Sequence, residues 1–318
     1  IRPLAAGGGI EGTLEPREIA YFAVDVAEDV ASQKFQLELP AGHEARLLLR
    51  KDHLPVSSGS HTTLAKQGGE YWLQLPDAGQ TKLTPGRYYL MVVGEGQNPS
   101  DEWTLGSGPV SYRLKHLGEA PVGDLGTLPV AGEAAMAGAY DSGEVKLHRF
   151  TVPEGTLALE VRLEDRTGNP WLAVAKGEVA PNLGYYYYYW HECYGFSGGG
   201  SGQRSSNLIT IPNPEPGVYS VAVGHDVDTA PQAGSYTLKV ISIGATNVPP
   251  RTTEQVTSLP GGEWRYYRMV VPAEVNRHAV RGWELRASAA DGSPPEMRVR
   301  RDLLPDGNWA IGFNQYPY

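Results

Sequence analysis

The sequence is short of cysteine, of long apolar runs, of basic tracts and of helical periodicity, and each shortage narrows what it encodes. Its 318 residues include one cysteine, Cys193. No internal disulfide can form, so cysteine usage neither requires nor excludes an oxidising compartment. No stretch approaches the roughly 18 uninterrupted apolar residues of a membrane helix, so no membrane insertion is expected of this segment. With 27 Lys+Arg against 36 Asp+Glu the formal net charge is -9. No basic run interleaved with aromatics tracks a phosphate backbone, which argues against a nucleic-acid partner. Asn98 is followed by Pro99, which disqualifies the near-sequon ending at Ser100. The sequence opens at Ile1 without methionine or signal peptide, as expected of a chain whose targeting segment has been removed or of an excerpt from a longer one.

What is present points to strands. The 39 Gly and 25 Pro make about a fifth of the chain, below the roughly 25% that marks low-complexity disorder. They interrupt it so often that few windows sustain a helix. The best helical candidate, Glu133 to Met136, is too short to stand alone. Tyr21 to Val26, Phe35 to Leu39, Tyr88 to Val93, Leu157 to Leu163, Tyr219 to Val223 and Tyr236 to Ile241 are short, rich in aromatic and β-branched residues, and bounded by turn formers. Many such strands at close spacing predict an all-β sandwich or barrel.

The strands also repeat. Leu47 to Pro55 (LLLRKDHLP) matches Met297 to Pro305 (MRVRRDLLP), with Leu172 to Pro181 (LAVAKGEVAP) a looser copy. Upstream lie Phe22 and Val24, Phe150 and Val152, Met269 and Val271. Downstream, Pro85-Gly86-Arg87-Tyr88 matches Pro216-Gly217-Val218-Tyr219, and Ser111 to Lys115 (SYRLK) matches Ser235 to Lys239 (SYTLK). Pro fixes φ near -65° and Gly takes a positive φ, giving a tight turn. The tyrosine and the valine four residues later then share one strand face. The shared order predicts tandem modules over residues 1–119 and 120–246, with linkers near Gly118 to Gly132 and Gly244 to Thr253. Residues 247–318 read as the first half of a third. No P-G-x-Y or S-Y-x-L element occurs before Tyr318, so this third sandwich is expected to be completed by further chain or by another chain.

The succession x-F-x-V, L-x-V-x-x-x-x-x-P, P-G-x-Y-x-x-x-V-x-G and S-Y-x-L-x-V resembles the bacterial pre-peptidase C-terminal domain over nearly all of residues 10 to 245. The resemblance implies tandem jelly-roll-like antiparallel β-sandwich domains, the third incomplete. It also implies an extracellular or cell-surface accessory module, typically attached to secreted peptidases and other surface enzymes. Some members bind calcium or an insoluble substrate such as collagen. Where the family has an aspartate cluster near the first strand, this sequence has Glu15 and Glu18, or Asp141 and Glu144.

Few motifs carry chemistry. Gly195 to Gly199 satisfies G-x-S-x-G around Ser197, but the glycines that follow cannot start the helix that a nucleophile elbow needs. Gly7, Gly9 and Gly12 match G-x-G-x-x-G without a preceding strand or a βαβ pattern. His191 and Cys193 flank Glu192, yet the other histidines lack paired spacing for zinc. Asp226 and Asp228 offer oxygens that suit calcium, and they equally suit a solvated turn. No catalytic residue and no cofactor other than calcium is expected, and no metal-binding residues are assigned.

The feature most in need of a role is the run from Tyr185 to Phe196, with eight aromatics in twelve residues. In a strand Tyr186, Tyr188 and Trp190 share one face. With Tyr194 they form the candidate ligand-binding surface, a flat row suited to stacking on sugar rings or anchoring a protein. The competing reading covers both faces with the core and a neighbouring module. The first copy has only Tyr71 and Trp72 in the corresponding region, so the row is an addition to the shared scaffold. The sequence thus predicts a non-catalytic extracellular binding or assembly scaffold from a larger bacterial protein. Its partners would be a polysaccharide, an extracellular protein surface or copies of itself. The alternatives are a substrate-targeting appendage of a secreted peptidase or other hydrolase, and a structural subunit of a surface layer or filament.

Overall fold

A computed structural model describes residues 1–41, 43, 45–56, 64–66, 71–77, 80–94, 108–180, 208–225, 232–259, 264–289 and 296–301. All regular structure in them is β. The first nine strands are β1 (Arg2–Pro3), β2 (Gly9–Leu14), β3 (Ile19–Val26), β4 (Gln33–Glu38), β5 (Arg46–Lys51), β6 (Leu64–Lys66), β7 (Tyr71–Gln74), β8 (Gly86–Val93) and β9 (Val110–Gly118). They form two sheets, in the orders β1-β3-β8-β5-β6 and β2-β9-β4-β7. Alternate residues of each strand enter one core between the sheets, where Phe22, Phe35, Leu90 and Leu114 are fully buried.

The next eight strands rebuild the same plan. They are β10 (Val122–Thr127), β11 (Gly132–Tyr140), β12 (Val145–Val152), β13 (Ala158–Thr167), β14 (Pro170–Lys176), β15 (Leu208–Pro212), β16 (Gly217–His225) and β17 (Gly234–Ile243). Their sheet orders, β10-β12-β16-β14 and β11-β17-β13-β15, reproduce those of the first set strand for strand, with no counterpart of β6 among the described residues. Even the parallel pairing of the opening strand recurs, β1 on β3 and β10 on β12. The core holds Phe150, Leu159, Val161, Tyr219, Val221 and Leu238. The chain is therefore a tandem of antiparallel β-sandwiches.

The repeated turn behaves as its residues dictate. Gly86 and Gly217 take φ of 135° and 128°. Tyr88 and Tyr219 enter the two cores, and each hydroxyl donates to the carbonyl four residues back, on Thr84 at 2.8 Å and Glu215 at 3.1 Å.

One candidate element is placed and two expectations need correction. Glu133 to Met136 lies inside β11, paired along its whole length with β17; the pairing overrides the helical preference of its alanines. The Gly118 to Gly132 stretch is no linker, because β10 runs through it beside β12. The sequence match of Phe22 and Val24 with Phe150 and Val152 is displaced by two residues. Val24 and Val26 oppose Tyr88 and Gly86, as Phe150 and Val152 oppose Tyr219 and Gly217, so Phe22 corresponds to His148. A slip of two keeps every side chain on its face, so alternation alone does not expose it.

Beyond β17 the described residues form only two-residue pairs. β18 (Thr246–Asn247) lies parallel to β19 (Tyr267–Arg268), and β20 (Glu274–Val275) antiparallel to β21 (His278–Ala279). The first pair repeats the opening pairing of the two sandwiches. Val270 and Trp283 remain 67% and 51% exposed, so no closed core forms there among the described residues.

Candidate functional site

The candidate ligand-binding residues Tyr186, Tyr188, Trp190 and Tyr194 lie outside the described residues. So do His191, Glu192, Cys193, Ser197, Asp226 and Asp228. What the structure does place is their attachment. The segment that carries the aromatic run leaves β14 and returns in β15, which among the described residues are the last strands of opposite sheets of the second sandwich.

The acidic pairs are placed too. Glu15 N–H donates to Glu18 Oε2 at 2.8 Å, and Glu18 N–H to the Glu15 carbonyl at 2.9 Å. Asp141 and Glu144 repeat this turn, with both bonds at 2.9 Å. In the second sandwich the turn is an inter-module contact. Glu144 is 4% exposed, and its Oε1 accepts from Lys34 of β4 in the first sandwich and, at 2.8 Å, from Lys146. Burial pushes the Glu144 carboxyl up, but the hydrogen bonds from Lys146 and Lys34 outweigh that and hold it below the usual carboxylate range. Tyr71 OH donates to Asp141 Oδ2 at 2.9 Å, Gln36 Nε2 donates to Tyr71 OH at 3.1 Å, and the Lys34 ammonium sits 4.9 Å from the Tyr71 ring centre. Both Glu144 oxygens are thus taken by cationic and backbone donors, so this turn does not fit calcium. Among the described residues no three His, Cys, Asp or Glu side chains gather as metal ligands.

Around this polar knot the junction is apolar. Leu73 and Leu75, in and just after β7, pack with Val145 against a cluster of Ala120, Leu147, Ala180 and Ala222 of the second sandwich. Two further bonds tie the strand ends: Ala31 N–H to Glu119 Oε1 and Ala120 N–H to Ser32 Oγ, both 3.0 Å. Sequence reasoning missed Lys34, Tyr71 and Lys146. The repeated acid-x-x-Glu spacing is the one available signal, and in the sequence it reads as a departure from the family's aspartate cluster, not as an inter-module contact.

No family model matches the chain, and no curated protein matches it. Among solved structures it is similar to the CUB1-EGF-CUB2 domain of human MASP-1/3, at 8% identity and TM-score 0.21, over 73% of this chain and 99% of that one. The CUB1-EGF-CUB2 domains of rat MASP-1 give 8% and 0.22 over 75% and 99%. The tandem CBM51 modules of a family 98 glycoside hydrolase from Streptococcus pneumoniae give 5% and 0.20 over 74% and 84%. Function must therefore be argued from the chain's own residues.

A shallow depression of about 530 Å³ lies over Gly12, Thr13, Ser111 and Tyr112 on the outer face of β2 and β9. Its carboxylates are already paired, Glu11 with Arg113 at 3.4 Å and Glu38 with Lys115. Elsewhere the perturbed groups are surface ion pairs, such as Asp25 with Arg87 and Asp124 with Arg149, or lie inside the sandwiches. His148, 5% exposed, has its pKa lowered to about 4 by burial and by Lys146, and its Nε2 lies 2.6 Å from Tyr236 OH. That is the profile of a structural imidazole, closed off from any substrate.

Proposed function

We propose that this chain is a non-catalytic, extracellular binding and assembly scaffold, part of a larger secreted or cell-surface bacterial protein of the pre-peptidase C-terminal type. One observation carries the proposal. The two sandwiches match strand for strand, and the second departs from the first in the β14–β15 connection, where eight aromatics fall in twelve residues. A scaffold that repeats with one added aromatic segment has placed recognition in the addition. Tyr and Trp suit that role because their rings bury much area at low entropy cost and keep a polar tip. The partner is an extracellular polysaccharide or protein surface.

The test uses the whole chain with Tyr186, Tyr188 and Trp190 changed to Ala. Retention on insoluble polysaccharide or on an immobilised extracellular-matrix protein should fall about tenfold or more, as for the loss of central aromatic anchors, with the melting curve unchanged. Unchanged retention, or loss of the folded state, would show that the rings do not bind, the latter because they are core.

A further inference from the structure

We infer that the outer face of β4 and β7 in the first sandwich is a recognition surface that accepts only the second sandwich. It discriminates by charge and by size, so the chain builds one fixed pair in one order and does not stack on copies of itself through this face. The inference comes from comparing equivalent positions. Leu37 opposes Leu114 as Leu163 opposes Leu238, which puts Arg162 at the position of Gln36 and, counting back along the strand past the register shift between Lys34 and Phe35, Glu160 at that of Lys34. Across the edge strands, Leu208 and Thr210 replace Tyr71 and Leu73. The second sandwich therefore presents a carboxylate where the first presents an ammonium, without the tyrosine hydroxyl and the leucine ridge. A second copy of the acidic Asp141–Glu144 turn would meet there no lysine ammonium but Glu160, a carboxylate 3% exposed and already paired with Arg162.

The opposite face discriminates as well. In the second sandwich the ridge of Leu73 and Leu75 rests near Leu147 and Ala222. At the same positions the first sandwich has Tyr21 and Met91, and Leu48 in place of Ala173. Its turn, Glu15 to Glu18, has the charge to meet Lys34, but the space for the leucine ridge is filled. Neither sandwich can replace the other at the junction.

The third segment meets a matching change in size. Tyr266, 7% exposed, packs on Ala158 with Trp264, Ala245 and Ile243, so large rings here meet a small residue on the second sandwich. The junctions trade bulk from one side to the other while each stays filled.

Three whole-chain variants test the inference, read by cleavage after Glu119 with a glutamate-specific protease. Lys34→Glu opposes Glu144 and should open the junction, raising cleavage about tenfold, since proteolysis follows the population of the open form. Ala222→Met, which installs the first sandwich's residue, should do the same with the charges intact. Lys34→Glu with Glu144→Lys should return cleavage to within about threefold of wild type, because the pair is rebuilt in reverse. Cleavage of Lys34→Glu at the wild-type rate would overturn the inference. So would a double variant cleaved as fast as the single, because the pairing would then not be what is read.

Discussion

Gly138→Ala is expected to destabilise the second sandwich by about 2 kcal/mol or more, a large effect for one methyl group. Gly138 on β11 opposes Tyr236 on β17. A Cβ at Gly138 would stand 2.5 Å from Tyr236 Cζ and 2.6 Å from its hydroxyl. The ring cannot swing aside freely, because it is 2% exposed and its hydroxyl is held by His148 at 2.6 Å. The first sandwich repeats the device: Gly12 opposes Tyr112, a Cβ would meet that ring at 2.7 to 2.9 Å, and Arg2 Nη2 donates to the hydroxyl at 2.8 Å. Urea denaturation of the variant checks this. A change below about 0.5 kcal/mol, the scale of a neutral surface substitution, would mean that the tyrosine has room to move.

Acid should weaken the same sandwich well before its carboxylates titrate. His148 falls from 6.5 to about 4 in the folded state, chiefly through burial and also through Lys146. Between those values the unfolded chain binds a proton that the folded chain refuses. Stability is therefore complete above pH 6.5 and falls as pH drops towards 4, by about 3 kcal/mol in all. Burial lowers His116 of the first sandwich in the same direction. Below about pH 4.5, protonation of Glu144, whose carboxyl is held low, adds loss at the junction. The control is built into the repeat, since Phe22 occupies the His148 position in the first sandwich. His148→Phe should remove most of the slope between pH 6.5 and 4 in denaturation curves. An equal slope in the variant would assign the acid response to other groups.

Alternation and turn chemistry made much of the fold legible. Four of the six segments marked as strands lie wholly within a strand, the other two overrun β4 and β13 by one residue each at Leu39 and Leu157, and the two Pro-Gly-x-Tyr turns open β8 and β16. Alternation failed where composition misled. The Ala-rich β11 and the Gly-rich β10 carry few of the branched and aromatic residues that mark strands, and pairing with β17 and β12 decides their state. It also failed at the junction, where Lys34 and Glu144 are 110 residues apart. In a local window Lys34 reads as an ordinary solvated charge, and only the stacking of two modules buries it.

The account depends on the two sandwiches forming one body of fixed geometry, and backbone residual dipolar couplings of the whole chain in a weakly aligning medium measure that directly. Amides of strands β2–β9 and of strands β10–β17 are predicted to fit one alignment tensor, with a common magnitude and orientation. Two tensors of different magnitude would mean that the sandwiches reorient independently, and would contradict the clamp made by Lys34, Glu144 and the leucine ridge.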